Sequence, residues 1–274
     1  MSARRHLPVK FLAFLRRDFK TAASYRLNFV SQGFRILITT FSFFLISKMF
    51  DGQPSSSLEP YGGHYFPFVL IGVALTDFIA TATNTFSNEI RTAQMLGTLE
   101  SLLVTPTSIS TILISSFSYK LLSTSFRIIF YFLVGIFVFG LSYPSVNAAA
   151  LALSFLLTLL PLFGIGLLSA SFILVFKQGN PVGSLIVMTS GLLGGVVYPV
   201  SVLPKWLLPF SDILPVTHGL EAIRQVLLNG AGIVEIRRQL VILCLLSLLF
   251  VALGSVSIYY GLKIAKKEGS LLHY

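Results

Sequence analysis

Apolar residues run in long blocks along this chain rather than alternating with polar ones, and a block of roughly 20 residues is enough to cross a bilayer as a helix. Six such blocks can be laid down: Leu27 to Phe50, Tyr65 to Phe86, Phe117 to Gly140, Val146 to Phe176, Gly183 to Tyr198 and Leu240 to Leu262. Several of the intervals are short and rich in turn formers, such as "DGQPSSSLEPYGGH", "LSYPS" and "KQGNP". The pattern predicts an all-α integral membrane protein with six transmembrane helices. Ahead of the first block, Phe11, Leu12, Phe14, Leu15 and Phe19 are interspersed with Lys10, Arg16, Arg17, Asp18 and Lys20. That mixture predicts an N-terminal helix lying in the membrane interface.

Two intervals break the simple scheme. Ser87 to Ser108, "SNEIRTAQMLGTLESLLVTPTS", is polar, yet Met95, Leu96, Leu99, Leu102 and Leu103 recur at spacings of three and four. An amphipathic helix is expected there, stopped by Pro106. On physics alone it reads first as a plain interfacial connector between spans. The second interval lies between the fifth and sixth blocks, where Pro199, Pro204, Pro209 and Pro215 forbid one continuous helix. Leu203, Leu207, Leu208, Phe210, Ile213 and Leu214 nonetheless make it too apolar for a solvated loop. Short helices dipping back into the outer leaflet reconcile the two facts, with Trp206 at the interface.

Composition supports the membrane reading and narrows the function. Apolar residues are 54% of the 274 and charged ones 11%, against roughly a quarter charged in a soluble domain. One membrane domain over 1–274 is expected, comprising a cytoplasmic or interfacial N-terminal part (1–26), the polar segment (87–108) and the outer re-entrant region (199–238). The net charge of +10 does not indicate nucleic acid, because half the basic residues cluster near the chain ends without interleaved aromatics. Seven Lys or Arg precede the first span, and Lys263, Lys266 and Lys267 follow the last. The positive-inside rule then makes both termini cytoplasmic in a multi-pass plasma (inner) membrane protein, with the acidic Asp51 to His64 loop outside. Arg237 and Arg238, before the last span, fall on the outer side and fit no part of this scheme. No cleavable signal peptide is expected, since charges break the first apolar stretch. The single Cys244, within the last block, forms no internal disulfide.

No G-x-x-x-x-G-K-[ST] phosphate loop occurs, and His6, His64, His218 and His273 lack metal-ligand spacing. No catalytic, cofactor or metal site is expected in this chain. Asp77, about twelve residues and therefore about 18 Å into the second span, sits near mid-membrane, where a bare carboxylate costs roughly 3 kcal/mol. Arg35 in the first span and Arg127 in the third lie at similar depth, so an Asp77 pair with one or both is expected. Such a pair either fixes helix packing or, in a gradient-driven carrier, relays protons. Phe41, Phe44, Tyr65 and Phe68, with Phe43 and Phe66, crowd the outer halves of spans one and two. They either pack and face lipid, or line a path for an amphiphile or sugar.

The run Gly97-Thr98-Leu99-Glu100, with Leu102, Leu103, Thr105 and Pro106, resembles the "GTLE-x-LL-x-TP" segment of type-2 ATP-binding-cassette (ABC) exporter permeases. Gly194 to Gly230, with "YP", "LP-x-W", a later Pro and "EA-x-R", resembles the outer region of the same family between spans five and six. This resemblance implies that Glu89, Arg91, Gly97, Thr98, Leu99, Glu100, Thr105 and Pro106 form a coupling segment docking onto a separate ATPase. It implies that Pro199, Pro204, Trp206, Pro215, Glu221 and Arg224 shape the outer re-entrant region. The implied assembly is a homodimer, or a pair with a similar permease, alongside two ATPase subunits that hold ATP and Mg. The implied activity is export of an amphiphile, a lipid, glycolipid or hydrophobic drug, with lipid-linked polysaccharide as the alternative cargo.

Overall fold

The computed structural model describes residues 16, 19, 26–50, 56–98, 109–143, 146–177 and 179–267. Among them the fold is entirely helical. Eight α-helices follow in order: α1 (Arg26–Phe50), α2 (Tyr65–Met95), α3 (Ile109–Phe139), α4 (Ala148–Phe176), α5 (Pro181–Leu193), α6 (Leu208–Ile213), α7 (Pro215–Asn229) and α8 (Arg237–Lys267). Of the expected N-terminal interfacial helix, only Arg16 and Phe19 are described, both helical and exposed. Five helices, α1 to α4 and α8, are long and apolar enough to cross a membrane. Helix α2 is the central one, with 67% of its apolar window buried against 17% for α1 and α8. It packs on α1 and α3 on one side and on α4, α5 and α7 on the other, while α8 covers α4 and α7.

The fifth expected span takes a different form. Helix α5 has 13 residues, about 20 Å of helix against the roughly 30 Å of a hydrocarbon core. It stops because Gly194 and then Gly195, at φ +74°, turn the chain, and Pro199 follows. The segment is nevertheless anchored at two heights on α2. Asn180, at the start of α5, donates to Asn84 and Ser87, whereas Val196 lies against Gly72. Gly72 and Asn84 are twelve residues apart, so 180–196 runs antiparallel to about 18 Å of α2.

Close approach between helices is set by glycines. A Cβ on Gly164 of α4 would lie 2.3 Å from the carbonyl carbon of Phe250 in α8, and one on Gly254 would lie 2.3 Å from the Gly164 carbonyl oxygen. The backbones therefore touch, which a larger side chain forbids. Gly164→Leu is expected to lower stability by about 3 kcal/mol through forced separation of α4 and α8, with Gly164→Ala costing less, as read by thermal unfolding of the detergent-solubilised protein.

Candidate functional site

Helix α2 does not end where its apolar block ends. At 31 residues it is about 46 Å long, well beyond the hydrocarbon core, so the polar residues after Phe86 continue the span as a protruding rod. On this rod Ile90 and Ala93 are buried, Glu89 is half-buried and Arg91 is exposed. The helix ends at Gly97 (φ +65°), where the Thr98 amide donates to the Ala93 carbonyl at 2.9 Å and the Gly97 amide to Gln94 at 3.0 Å. This pair of bonds is a Schellman cap, which needs a left-handed residue at the Gly97 position. The single amphipathic helix expected over 87–108 is thus interrupted at Gly97, for the reason that glycine there takes positive φ without a steric cost. Leu99, Glu100, Thr105 and Pro106 lie outside the described residues. Met95, Leu96, Gly97 and Thr98 form an exposed tip.

The base of the rod is tied to α5 through one side chain. Asn180 caps α5 by accepting from the Gly183 amide at 2.9 Å, and its amide nitrogen donates to Asn84 Oδ1 at 2.7 Å and Ser87 Oγ at 2.8 Å. Ser169 of α4 donates to the side-chain Oδ1 of Asn180. Asn180 therefore ties the Asn84–Ser87 stretch of α2 to both α4 and α5.

Further into the membrane, three helices meet through charge. Asp77 Oδ2 of α2 lies 3.5 Å from Arg127 Nε of α3 and 4.0 Å from Arg35 Nη2 of α1. Arg127 also donates to Thr124 Oγ1 at 2.8 Å and to Gln32 Oε1 at 3.4 Å, and Thr124 shares a hydrogen bond with Thr81 at 2.9 Å. The cluster holds one carboxylate and two guanidiniums. Arg127 is the enclosed cation, with a side chain 24% exposed, while that of Arg35 is 61% exposed.

At the opposite end of α2, Arg224 organises a cap. It is 2% exposed and lies on α7, which starts at Pro215, a residue suited to a first helical turn. Its Nε and Nη2 donate to the Phe68 carbonyl at 3.2 and 3.1 Å, Nη1 to Gly195 at 2.6 Å and Nη2 to Val196 at 2.9 Å. The guanidinium also lies 3.5 Å from the centroid of the Phe68 ring. One side chain thus joins α2, α7 and the turn after α5. Gly72 makes room for both the turn and this side chain, since a Cβ there would lie 2.0 Å from the Val196 carbonyl oxygen and 2.7 Å from Arg224 Nη2.

One turn before Arg224 on α7, Glu221 accepts from the Tyr61 phenol at 2.5 Å and from Gln225 at 3.1 Å, and Asn229 donates to the Pro60 carbonyl at 2.8 Å. Burial, reinforced by the hydrogen bond to Glu221, holds the Tyr61 phenol well above the ordinary tyrosine pKa. Pro199 precedes the 3-10 turn Val200–Val202, Pro204 opens the next turn, and Trp206 is 70% exposed.

The four aromatics separate. Phe68 is fully buried beneath Arg224, Phe44 packs its ring on Phe66 and Phe139, Tyr65 is half-buried, and Phe41 is exposed. Sequence reasoning missed Asn180 and Tyr61 altogether. Asn180 carries a readable signal, an Asn directly before the Pro that opens a helix. Tyr61 carries none, because its partner is 160 residues away.

Residues 9–228 match the sequence profile of the ABC-2 type transporter. The chain is also similar to the linearmycin resistance permease protein LnrN of Bacillus subtilis (strain 168), 27% identical over 99 residues. That similarity covers 36% of this chain and 25% of the relative, so the chain spans about a quarter of that protein's length. Since the family match takes in well over half of its residues, this chain, with its apolar helices and polar rod, belongs to the ABC-2 type transporter family.

Proposed function

We propose that this protein is the membrane permease of an ATP-driven exporter that moves an amphiphile, a lipid, glycolipid or hydrophobic drug, out across the plasma membrane. Family membership carries the coarser part: the chain is a multi-pass transport subunit of ABC type, and the family implies an ABC ATPase partner. The finer part rests on α2, which continues from the membrane as a rod with Gly97 and Thr98 at its tip. In this reading the tip and the following residues, through Pro106, dock into the ATPase, and two permeases stand beside two ATPases that bind ATP and Mg. Closure of the ATPases pushes the rod, Asn180 passes the motion to α4 and α5, and Arg224 passes it to the outer cap. The α5 segment with its turn makes the fifth of six crossings, which puts both termini in the cytoplasm.

An amphiphilic cargo is favoured over lipid-linked polysaccharide because the relative is named for resistance to linearmycin, and resistance is what expelling a toxic compound confers. The test is reconstitution of the permease with its ATPase in proteoliposomes, following efflux of a fluorescent amphiphile. Efflux is expected to require ATP and to be indifferent to an imposed proton gradient. Efflux driven by the gradient without ATP would instead make Asp77 a proton carrier and overturn the proposal.

A further inference from the structure

The pair Arg237-Arg238 fits neither the charge bias of the topology nor the coupling route, and the structure gives Arg238 a place. It lines a pocket of about 270 Å³ at the junction of α6, α7 and α8, together with Asp212, His218, Glu221, Arg224 and Gln239. Most of these groups are already committed. Arg224 is spent on three backbone carbonyls, Glu221 on Tyr61 and Gln225, and the His218 Nε2 on the Asp212 carbonyl at 2.8 Å.

Two charged groups remain. Neither the Asp212 carboxylate nor the Arg238 guanidinium forms an ion pair among the described residues, and both residues are exposed. The charged lining is balanced, with two carboxylates and two guanidiniums, so neither a simple anion nor a simple cation satisfies both open groups. Asp212, His218 and Glu221 form no metal-holding group among the described residues.

We propose that this pocket binds a zwitterionic head group, a primary ammonium beside a phosphate or carboxylate. The ammonium donates to Asp212, and the anion pairs with Arg238. The volume suits a head group and not an acyl chain. A chain has its own track, because Leu245 and Leu249 of α8 follow Arg238 and Ile242 on one helical face and are 62% and 52% exposed. The site depends on the fold but not on the direction of transport, so binding and export fail or succeed separately.

Binding is measured with the purified full chain in phosphatidylglycerol nanodiscs, by calorimetry, using dihexanoyl phosphatidylethanolamine, its N-acetylated form and glycerophosphoethanolamine. The free ammonium is expected to bind about tenfold tighter than the N-acetylated form. Asp212→Asn is expected to erase that preference, and Arg238→Gln to weaken both lipids by about tenfold. If glycerophosphoethanolamine matches the lipid, the ligand is a free solute; if only the lipid binds, it is a lipid head group, and either result upholds the chemistry. Equal affinity of the wild type for the free and acetylated amines, or a preference that survives Asp212→Asn, overturns the proposal.

Discussion

Replacing Arg224 by alanine is expected to cost about 4 kcal/mol or more and to lower the melting temperature by roughly 10 °C in detergent. The magnitude follows from what the side chain holds. Three buried carbonyls, of Phe68, Gly195 and Val196, receive its N–H groups, and each loses a donor at about 1–3 kcal/mol. The removed guanidinium also leaves a void over the Phe68 ring, to which a cavity cost is added. Arg224→Lys keeps the charge but has one nitrogen to reach acceptors on α2 and the α5 turn, so it is expected to recover less than half of the loss. Differential scanning fluorimetry of the two variants checks this, and a melting temperature within about 2 °C of wild type for Arg224→Ala would show that the cap is held by something else.

The second large effect is expected at Asp77. Asp77→Leu leaves the Arg127 guanidinium, 24% exposed, without its counter-ion in the membrane, at a cost of roughly 3 kcal/mol. Arg35 is more exposed and free to swing away, so it adds little. If the carboxylate serves to balance Arg127, then Asp77→Leu combined with Arg127→Leu is expected to regain most of the stability and of the ATP-driven efflux, because a well-packed apolar pair replaces a buried ionic one at little cost. Folded yield and efflux of the single and double variants form the cycle that reads this coupling. A double variant that folds normally yet does not transport would show that the carboxylate acts in the transport step itself.

The helical membrane fold was readable from hydropathy because spanning helices carry their own signal: residues 30–49, 65–95, 113–139, 148–176 and 237–265 are apolar over lengths that only a membrane accommodates. The fifth block misled on extent. Gly194 and Gly195 look innocuous inside an apolar run, but the chain turns there, and the remaining height along α2 is covered by non-helical residues secured by Arg224. The polar segment misled on where its helix ends. Its three- and four-residue spacing through Met95, Leu96 and Leu99 fits a helix, while the cap at Gly97 ends one. Asp77, Arg35 and Arg127 were legible because charge in a membrane is costly enough to demand company, and depth counting from the span ends brought them together. Arg224 was flagged through "EA-x-R" for its place in the outer region, but its carbonyl partners could not be read, since they lie 28 to 156 residues away and are backbone atoms.

The central claim is that the tip of α2 is a cytoplasmic lever engaged by an ATPase on another chain. The direct test places Thr98→Cys in a Cys244→Ser background of the full complex in intact cells, with a membrane-impermeant maleimide added outside and a cysteine-to-amine crosslinker added inside. The account predicts no labelling from outside and a crosslinked band containing the ATP-binding subunit. Labelling of position 98 from outside, or a cytoplasmic position 98 that never captures that subunit while the complex hydrolyses ATP, would contradict it.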